Sequence, residues 1–265
     1  ELEPSSDMTV IGLNGSLGVW MTRSAFDFSV LPSWIRIAEA PSGFSGTKAI
    51  EFVEHGDEAG DVMFFTGWNG QVTRVSGLQN VNSQDDVDQL EVANILSSAG
   101  AAVTGLSVDP NDPNHVVVTV GGYGNSSMGK VRETFNALSN NVTWSNIWSS
   151  AGFNNMPCYD VVIDANDPTG ETVVVGTEFG IFVTDDGGDS WNISNLGMEN
   201  GPDAVTAPVF DLKQQFRQSH PWSNVTNGGA IYAGTHGRSI FVNGIASDIQ
   251  DEEVAEEVTS WNVFP

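Results

Sequence analysis

The chain has 265 residues and carries nine Lys and Arg against 34 Asp and Glu, a formal charge of −25. That balance excludes nucleic acid as a partner, because phosphate binding needs clustered cations, and it disfavours an anionic membrane surface. No apolar run approaches the roughly 18 residues of a membrane span, and a single cysteine, Cys158, rules out an intrachain disulfide.

Hydrophobic residues make up 40% of the chain and there are 29 Gly. Apolar runs are short, which suits strands and tight turns better than helices. Glu1-Leu-Glu-Pro-Ser-Ser-Asp7 shows no secretory leader and reads as a start within a longer chain. From residue 8 onward, paired apolar segments recur around a glycine. Val10-Ile-Gly12 precedes Gly18-Val-Trp-Met-Thr22, and Phe64-Phe-Thr-Gly67 precedes Gln71-Val-Thr-Arg-Val75. Val116-Val-Val-Thr-Val-Gly121 precedes Lys130-Val-Arg-Glu-Thr134, Val173-Val-Val-Gly176 precedes Gly180-Ile-Phe-Val-Thr184, and Ile231-Tyr-Ala-Gly234 precedes Ser239-Ile-Phe-Val242. The intervals between these glycines are 55, 54, 55 and 58 residues.

A further strand recurs between these pairs. Thr104-Gly-Leu-Ser-Val-Asp109 and Val161-Val-Ile-Asp164 both run into Asn-Asp-Pro, where the Asx side chain and the fixed proline angle make a turn. Lys48-Ala-Ile-Glu-Phe-Val53 and Pro208-Val-Phe-Asp-Leu212 fill the same slot. A fourth strand with a Trp or aliphatic anchor ends each unit, as in Ser33-Trp-Ile-Arg-Ile37, Val142-Thr-Trp-Ser-Asn-Ile147 and Ser190-Trp-Asn-Ile193.

Four strands every fifty-odd residues predict an all-β propeller of four-stranded antiparallel blades. Residues 8–244 hold four to five blades: 8–38 in part, then 47–97, 101–149 and 157–197, then 206–243 in part. They are expected to belong to a larger propeller of about seven or eight blades. Residues 245–265 read as an acidic linker toward a further C-terminal domain.

Thr184-x-Asp186-x-Gly188-x-Ser190-Trp191 fits Ser/Thr-x-Asp-x-Gly-x-Ser/Thr-Trp. It resembles the Asp-box of β-propellers in sialidases, sortilin-type receptors and many secreted bacterial proteins. The resemblance implies a structural role for the box and a secreted or cell-surface location. Trp261-Asn-Val-Phe-Pro265 resembles the opening of the C-terminal sorting domain of type IX secretion cargo, which implies an export machinery as a partner. A solvated acidic surface suits such an exported chain.

Recognition is expected on the face opposite the box, at the turns between second and third strands. The candidates there are Trp68, Asn69, Tyr123, Glu178, Phe179, His236 and Arg238, with Asn14, Ser16 and Asn125 beside them. Exposed aromatics beside amides, a carboxylate and a cation suit a glycan or a protein ligand. Asp160 and Asp211 follow Pro157 and Pro208 at one offset. Two-propeller xyloglucanases use paired acids of this kind, so a glycoside hydrolase is the alternative to a non-enzymatic module. The other reading of both acids is hydrogen bonding to neighbouring blade backbones.

The six arginines (Arg23, Arg36, Arg74, Arg132, Arg217 and Arg238) lack the Arg-Ile-Pro context of the sialidase triad. The histidines His55, His115, His220 and His236 are dispersed, so neither a transition metal nor a cofactor is indicated. The acidic surplus leaves Ca2+ as the ion to consider, but Asp85-Asp-Val-Asp88 lacks the spacing of a Ca2+ loop. Cys158, at the start of an apolar strand, reads as a packed thiol.

Overall fold

The computed structural model describes residues 8–12, 17–39, 46–54, 56–124, 129–148, 155–198, 206–216, 225–243 and 261–263. Nineteen strands among them form five antiparallel sheets in chain order. Blade 1 holds β1 (Thr9–Gly12), β2 (Val19–Thr22) and β3 (Ile35–Ala38). Blade 2 holds β4 (Thr47–Phe52), β5 (Val62–Gly67), β6 (Val72–Ser76) and β7 (Glu91–Leu96). Blade 3 holds β8 (Val103–Val108), β9 (Val116–Val120), β10 (Val131–Thr134) and β11 (Ser145–Asn146). Blade 4 holds β12 (Cys158–Ile163), β13 (Val173–Thr177), β14 (Gly180–Thr184) and β15 (Asn192–Ile193). Blade 5 holds β16 (Val209–Gln214), β17 (Ile231–Thr235), β18 (Ile240–Asn243) and β19 (Trp261–Val263).

Burial follows position in the blade. The second strands β5, β9 and β13 are buried at every residue. Apart from one threonine each, they read as apolar runs without the alternation of a half-exposed strand, because a neighbouring blade covers each face. The short fourth strands β11 and β15 are exposed at both residues and form the rim. The first strands β4, β8, β12 and β16 surround a central cavity of about 140 Å3, lined by Glu51, Ser107, Val161 and Lys213 among others. An ion pair between Lys213 Nζ and Glu51 Oε1, 2.6 Å apart, joins blade 5 to blade 2.

Close approach explains two of the repeat glycines. A Cβ on Gly12 would overlap the Thr47 side chain, and one on Gly176 would lie 2.9 Å from the Val209 carbonyl oxygen. Each glycine thus lets the inner strand of the next blade press against its own sheet.

The tail departs from expectation. Trp261–Val263 is no linker but the fourth strand of blade 5, paired with β18 in the register Asn243↔Trp261 and Phe241↔Val263. Trp261 is 1% exposed and packs with Met198, Leu212 and Phe241. Its backbone N–H donates to the Leu196 carbonyl at 2.8 Å, tying blade 5 to blade 4. The strand is three residues long and follows an acidic run, so local composition masked it.

Candidate functional site

The inner strands share a bulge near their first residues. Register shifts fall between Thr47 and Ile50, Val103 and Gly105, Cys158 and Asp160, and Val209 and Asp211. A bulge leaves a residue unpaired and re-aims its side chain. The unpaired positions are Lys48 and Ala49 on β4, Thr104 on β8, Tyr159 on β12 and Phe210 on β16. They lie at the edge that carries the turns between second and third strands, here termed the upper face.

In three blades the bulge residue meets the turn residue. Lys48 Nζ lies 4.6 Å from the Trp68 ring centroid. The Tyr159 hydroxyl donates to Glu178 Oε2 at 2.5 Å. The Phe210 ring lies 5.3 Å from the His236 ring. Tyr159 and Phe210 also meet each other, edge to face, with centroids 4.7 Å apart and planes at 86°. The Tyr123 hydroxyl reaches Glu178 as well. A row therefore runs from Tyr123 through Glu178, Tyr159 and Phe210 to His236, across blades 3, 4 and 5.

Burial and then the Glu178 hydrogen bond push the Tyr159 phenol well up, and the Glu178 bond and then burial raise that of Tyr123. Both therefore stay protonated donors at neutral pH. Tyr123 is 70% exposed and Phe210 46%, so the row is open to solvent.

The other anticipated residues stand apart from it. Trp68 is half exposed beside Lys48. Asn69 is turned inward on its own turn, with its amide donating to Gln71 Oε1 at 2.7 Å. Phe179 projects half exposed from the turn that carries Glu178. Arg238 Nη1 donates to the Met198 carbonyl at 3.0 Å, bracing blade 5 on blade 4. Asn14, Ser16 and Asn125 lie outside the described residues. Sequence reasoning found the turn residues and missed Lys48, Tyr159 and Phe210. The shared offset of Pro157 and Pro208 was a signal, but it had drawn attention to the acids one residue further on.

Those acids differ from each other. Asp160 Oδ2 accepts the Leu212 N–H of the next blade at 2.8 Å. A Cβ on Gly105, in the preceding blade, would lie 2.5 Å from Asp160 Oδ1. Asp160 thus links three blades. Burial pushes its pKa up to about 8, against the opposing effects of the Leu212 bond and Lys213. Asp211 is exposed.

On the lower face Thr184, Asp186, Gly188, Ser190 and Trp191 form a closed turn. Asp186 Oδ1 accepts the Thr184 hydroxyl at 2.7 Å and the Ser190 N–H at 2.9 Å, and its Oδ2 accepts the Ser190 hydroxyl at 2.6 Å. The Ser190 bonds first, then Thr184, hold the Asp186 pKa down at about 2. Gly188 has φ +93°, and a Cβ there would lie 2.6 Å from the Ile147 Cβ. The Thr184, Asp186 and Ser190 side chains close the turn on itself, and the Trp191 indole N–H reaches the Ile147 carbonyl of blade 3.

Arg23, Arg74 and Arg132 tie neighbouring blades together. Arg23 donates to the Leu78, Gln79 and Val81 carbonyls. Arg74 donates to the Ala137 and Ser139 carbonyls and pairs with Glu91. Arg132 donates to the Ala99 carbonyl, and Arg36 pairs with Glu39. Among the described residues no arginine triad assembles. Asp86 caps a short 3-10 segment, Gln84–Gln89, through the Ser83 and Asn82 N–H groups. The Cys158 thiol is buried, and burial pushes its pKa up.

His115 is a buried imidazole between two acids. Nδ1 faces Asp109 Oδ2 and Nε2 faces Glu133 Oε1, each at 3.0 Å, and Phe135 stacks on the ring. Burial lowers its pKa, but the Asp109 and Glu133 hydrogen bonds and charges outweigh burial and hold it up at about 9. Among the described residues no group of three His, Cys, Asp or Glu is arranged to hold a metal ion. No helix among them is long and apolar enough to cross a membrane.

No protein-family model matches the chain, and no curated protein matches it in sequence. Solved structures match it in shape. An outer-coat-vertex chain of COPII on membranes aligns with TM-score 0.60 at 10% identity, covering 91% of this chain and 56% of that one. The β-propeller domain of Myceliophteria thermophila Cps50 (Swd1) aligns with TM-score 0.60 at 10% identity, covering 99% and 69%. A GH74 enzyme of Niastella koreensis aligns with TM-score 0.58 at 14% identity, covering 92% and 34%. The chain thus spans about half the length of the coat chain and a third of the GH74 enzyme. The fold is all-β, with four to five propeller blades among the described residues, matching part of larger propeller chains. Likeness at these identities is one of fold, and one fold hosts many functions.

Proposed function

We propose that the chain is a non-enzymatic recognition module, secreted or displayed at the cell surface, whose upper face binds a glycan or a protein. The observation that carries this reading is the row Tyr123, Glu178, Tyr159, Phe210 and His236. Turns at a propeller rim need only polar residues to satisfy water, whereas rings left half exposed in a row around one carboxylate suit a ligand. The Asp-box pattern and the acidic surface support an exported location. The type IX cargo reading rests on fewer residues than the sequence suggested, because Trp261–Val263 belongs to the propeller.

The test is binding of wild type and Phe210→Ala to glycan and surface-protein arrays. A defined ligand whose affinity falls by about tenfold in the variant supports the reading, since an aromatic anchor is worth one to a few kcal/mol. Arrays on which no ligand depends on Phe210 would refute it.

A glycoside hydrolase is the second reading. Asp160, with its pKa near 8, is protonated at neutral pH as a general acid must be, and a GH74 enzyme shares the fold. Its carboxylate is, however, engaged by Leu212. Release of reducing ends from xyloglucan, lost in Asp160→Asn, would favour this reading.

A further inference from the structure

Blade 2 shows how this chain uses a ring at the upper face: the Lys48 ammonium sits over the Trp68 π face. Blades 4 and 5 put aromatic residues at the equivalent bulge positions, Tyr159 and Phe210. Their planes stand at 86°, so the two rings make a corner rather than a flat platform. A sugar ring stacks on a platform. Two rings at right angles offer π surface in two directions to a compact cation, which is drawn to π faces. Glu178 stands at this corner and accepts a hydrogen bond from the Tyr159 hydroxyl, with Tyr123 beside it. A carboxylate offers about four lone-pair sites, so acceptor capacity remains. The formal charge of −25 adds a long-range field that gathers cationic partners.

We propose that the corner of Tyr159, Phe210, Tyr123 and Glu178 binds an alkylammonium group, the side chain of a lysine on a basic peptide segment of a protein partner. This rests on the upper-face recognition reading and names its ligand class. Tyr159 fixes the carboxylate's direction, Glu178 supplies the charge, and Phe210 and Tyr123 supply π surface.

The 265-residue chain, labelled on its tyrosine rings, is titrated by NMR with three probes. They are Nα-acetyl-lysine methylamide, its Nε-trimethyl form, and Nα-acetyl-norleucine methylamide as the neutral counterpart. Both ammonium probes should shift the Tyr123 and Tyr159 resonances saturably, and norleucine should not. Glu178→Gln should weaken both by about fivefold or more, the scale of a charge and cation–π contribution. Tyr159→Phe, which keeps the ring but releases the carboxylate, should weaken lysine binding less than Glu178→Gln does. Thermal melts of both variants confirm that they fold.

Equal binding of norleucine, or no effect of Glu178→Gln, overturns the inference. So does the absence of ammonium binding when a neutral glycan on the array still depends on Phe210, and that outcome leaves the recognition reading standing. With neither ammonium binding nor a Phe210-dependent array ligand, both fall.

Discussion

The Trp191 indole N–H donates to the Ile147 carbonyl at 2.7 Å, across the junction of blades 4 and 3. Trp144 makes the same contact one junction earlier, to the Ile95 carbonyl at 2.9 Å. Each tryptophan follows the third-to-fourth strand connection of its blade, and each acceptor lies at the end of the preceding blade's fourth strand. Trp191 also packs edge to face on Trp148, with centroids 4.8 Å apart. The turn is therefore a fastener between blades.

Trp191→Phe keeps most of the ring but removes the donor. It leaves the Ile147 carbonyl short of a partner and should cost about 1–2 kcal/mol. Urea unfolding of the two proteins measures the difference, and equal midpoints would contradict the role given to the indole N–H.

Asp186 gives an acid-side prediction. Its folded pKa of about 2 lies below the ordinary 3.8. Its contribution to stability is therefore complete above pH 3.8 and fades as pH falls through about 2. Asp186→Asn should remove that part of the acid limb, flattening the dependence of Tm on pH in this window relative to wild type.

His115 has the opposite sign. Its folded pKa, about 9, lies above the ordinary 6.5. Its stabilising effect is complete below pH 6.5 and lost as pH rises through about 9. His115→Gln leaves Asp109 and Glu133 buried without a cation, so it should cost about 3 kcal/mol near pH 6. The gap to wild type should narrow by pH 10. Denaturant unfolding at several pH values reads it, and a constant gap would show that the imidazole is not charged in the fold.

Arg132 and Arg74 should behave differently. Arg132 is 1% exposed, and its Nε and Nη1 find no hydrogen-bond partner among the described residues. Arg132→Met should be neutral or stabilising, within about 1 kcal/mol, because burying a poorly paired cation offsets what it gains. Arg74→Met breaks bonds to Ala137, Ser139 and Glu91, and should cost about 1–3 kcal/mol. Parallel melts of the two variants compare them.

Much of the fold was legible before any coordinates. The glycine repeat and the apolar second strands named the blades and their order, because turn chemistry and burial on both faces are written locally. Trp261 escaped, since a three-residue strand after an acidic run has too little pattern to read. Glu178 and His236 were found because turns announce themselves, but nothing local said that each would face a bulge residue.

The sequence by itself determined the order of the blades, every strand but the last, the closed Asp186 turn and the strongly negative charge. All three follow from residue types and short spacings. Only the tertiary structure decided that Tyr159 and Phe210 form a corner beside Glu178, and that His115 sits between Asp109 and Glu133. A bulge inserts one residue without disturbing the apolar pattern around it, Tyr159 and Phe210 come from different blades, and the partners of His115 stand 6 and 18 positions away on neighbouring strands. Period and composition carry no record of either.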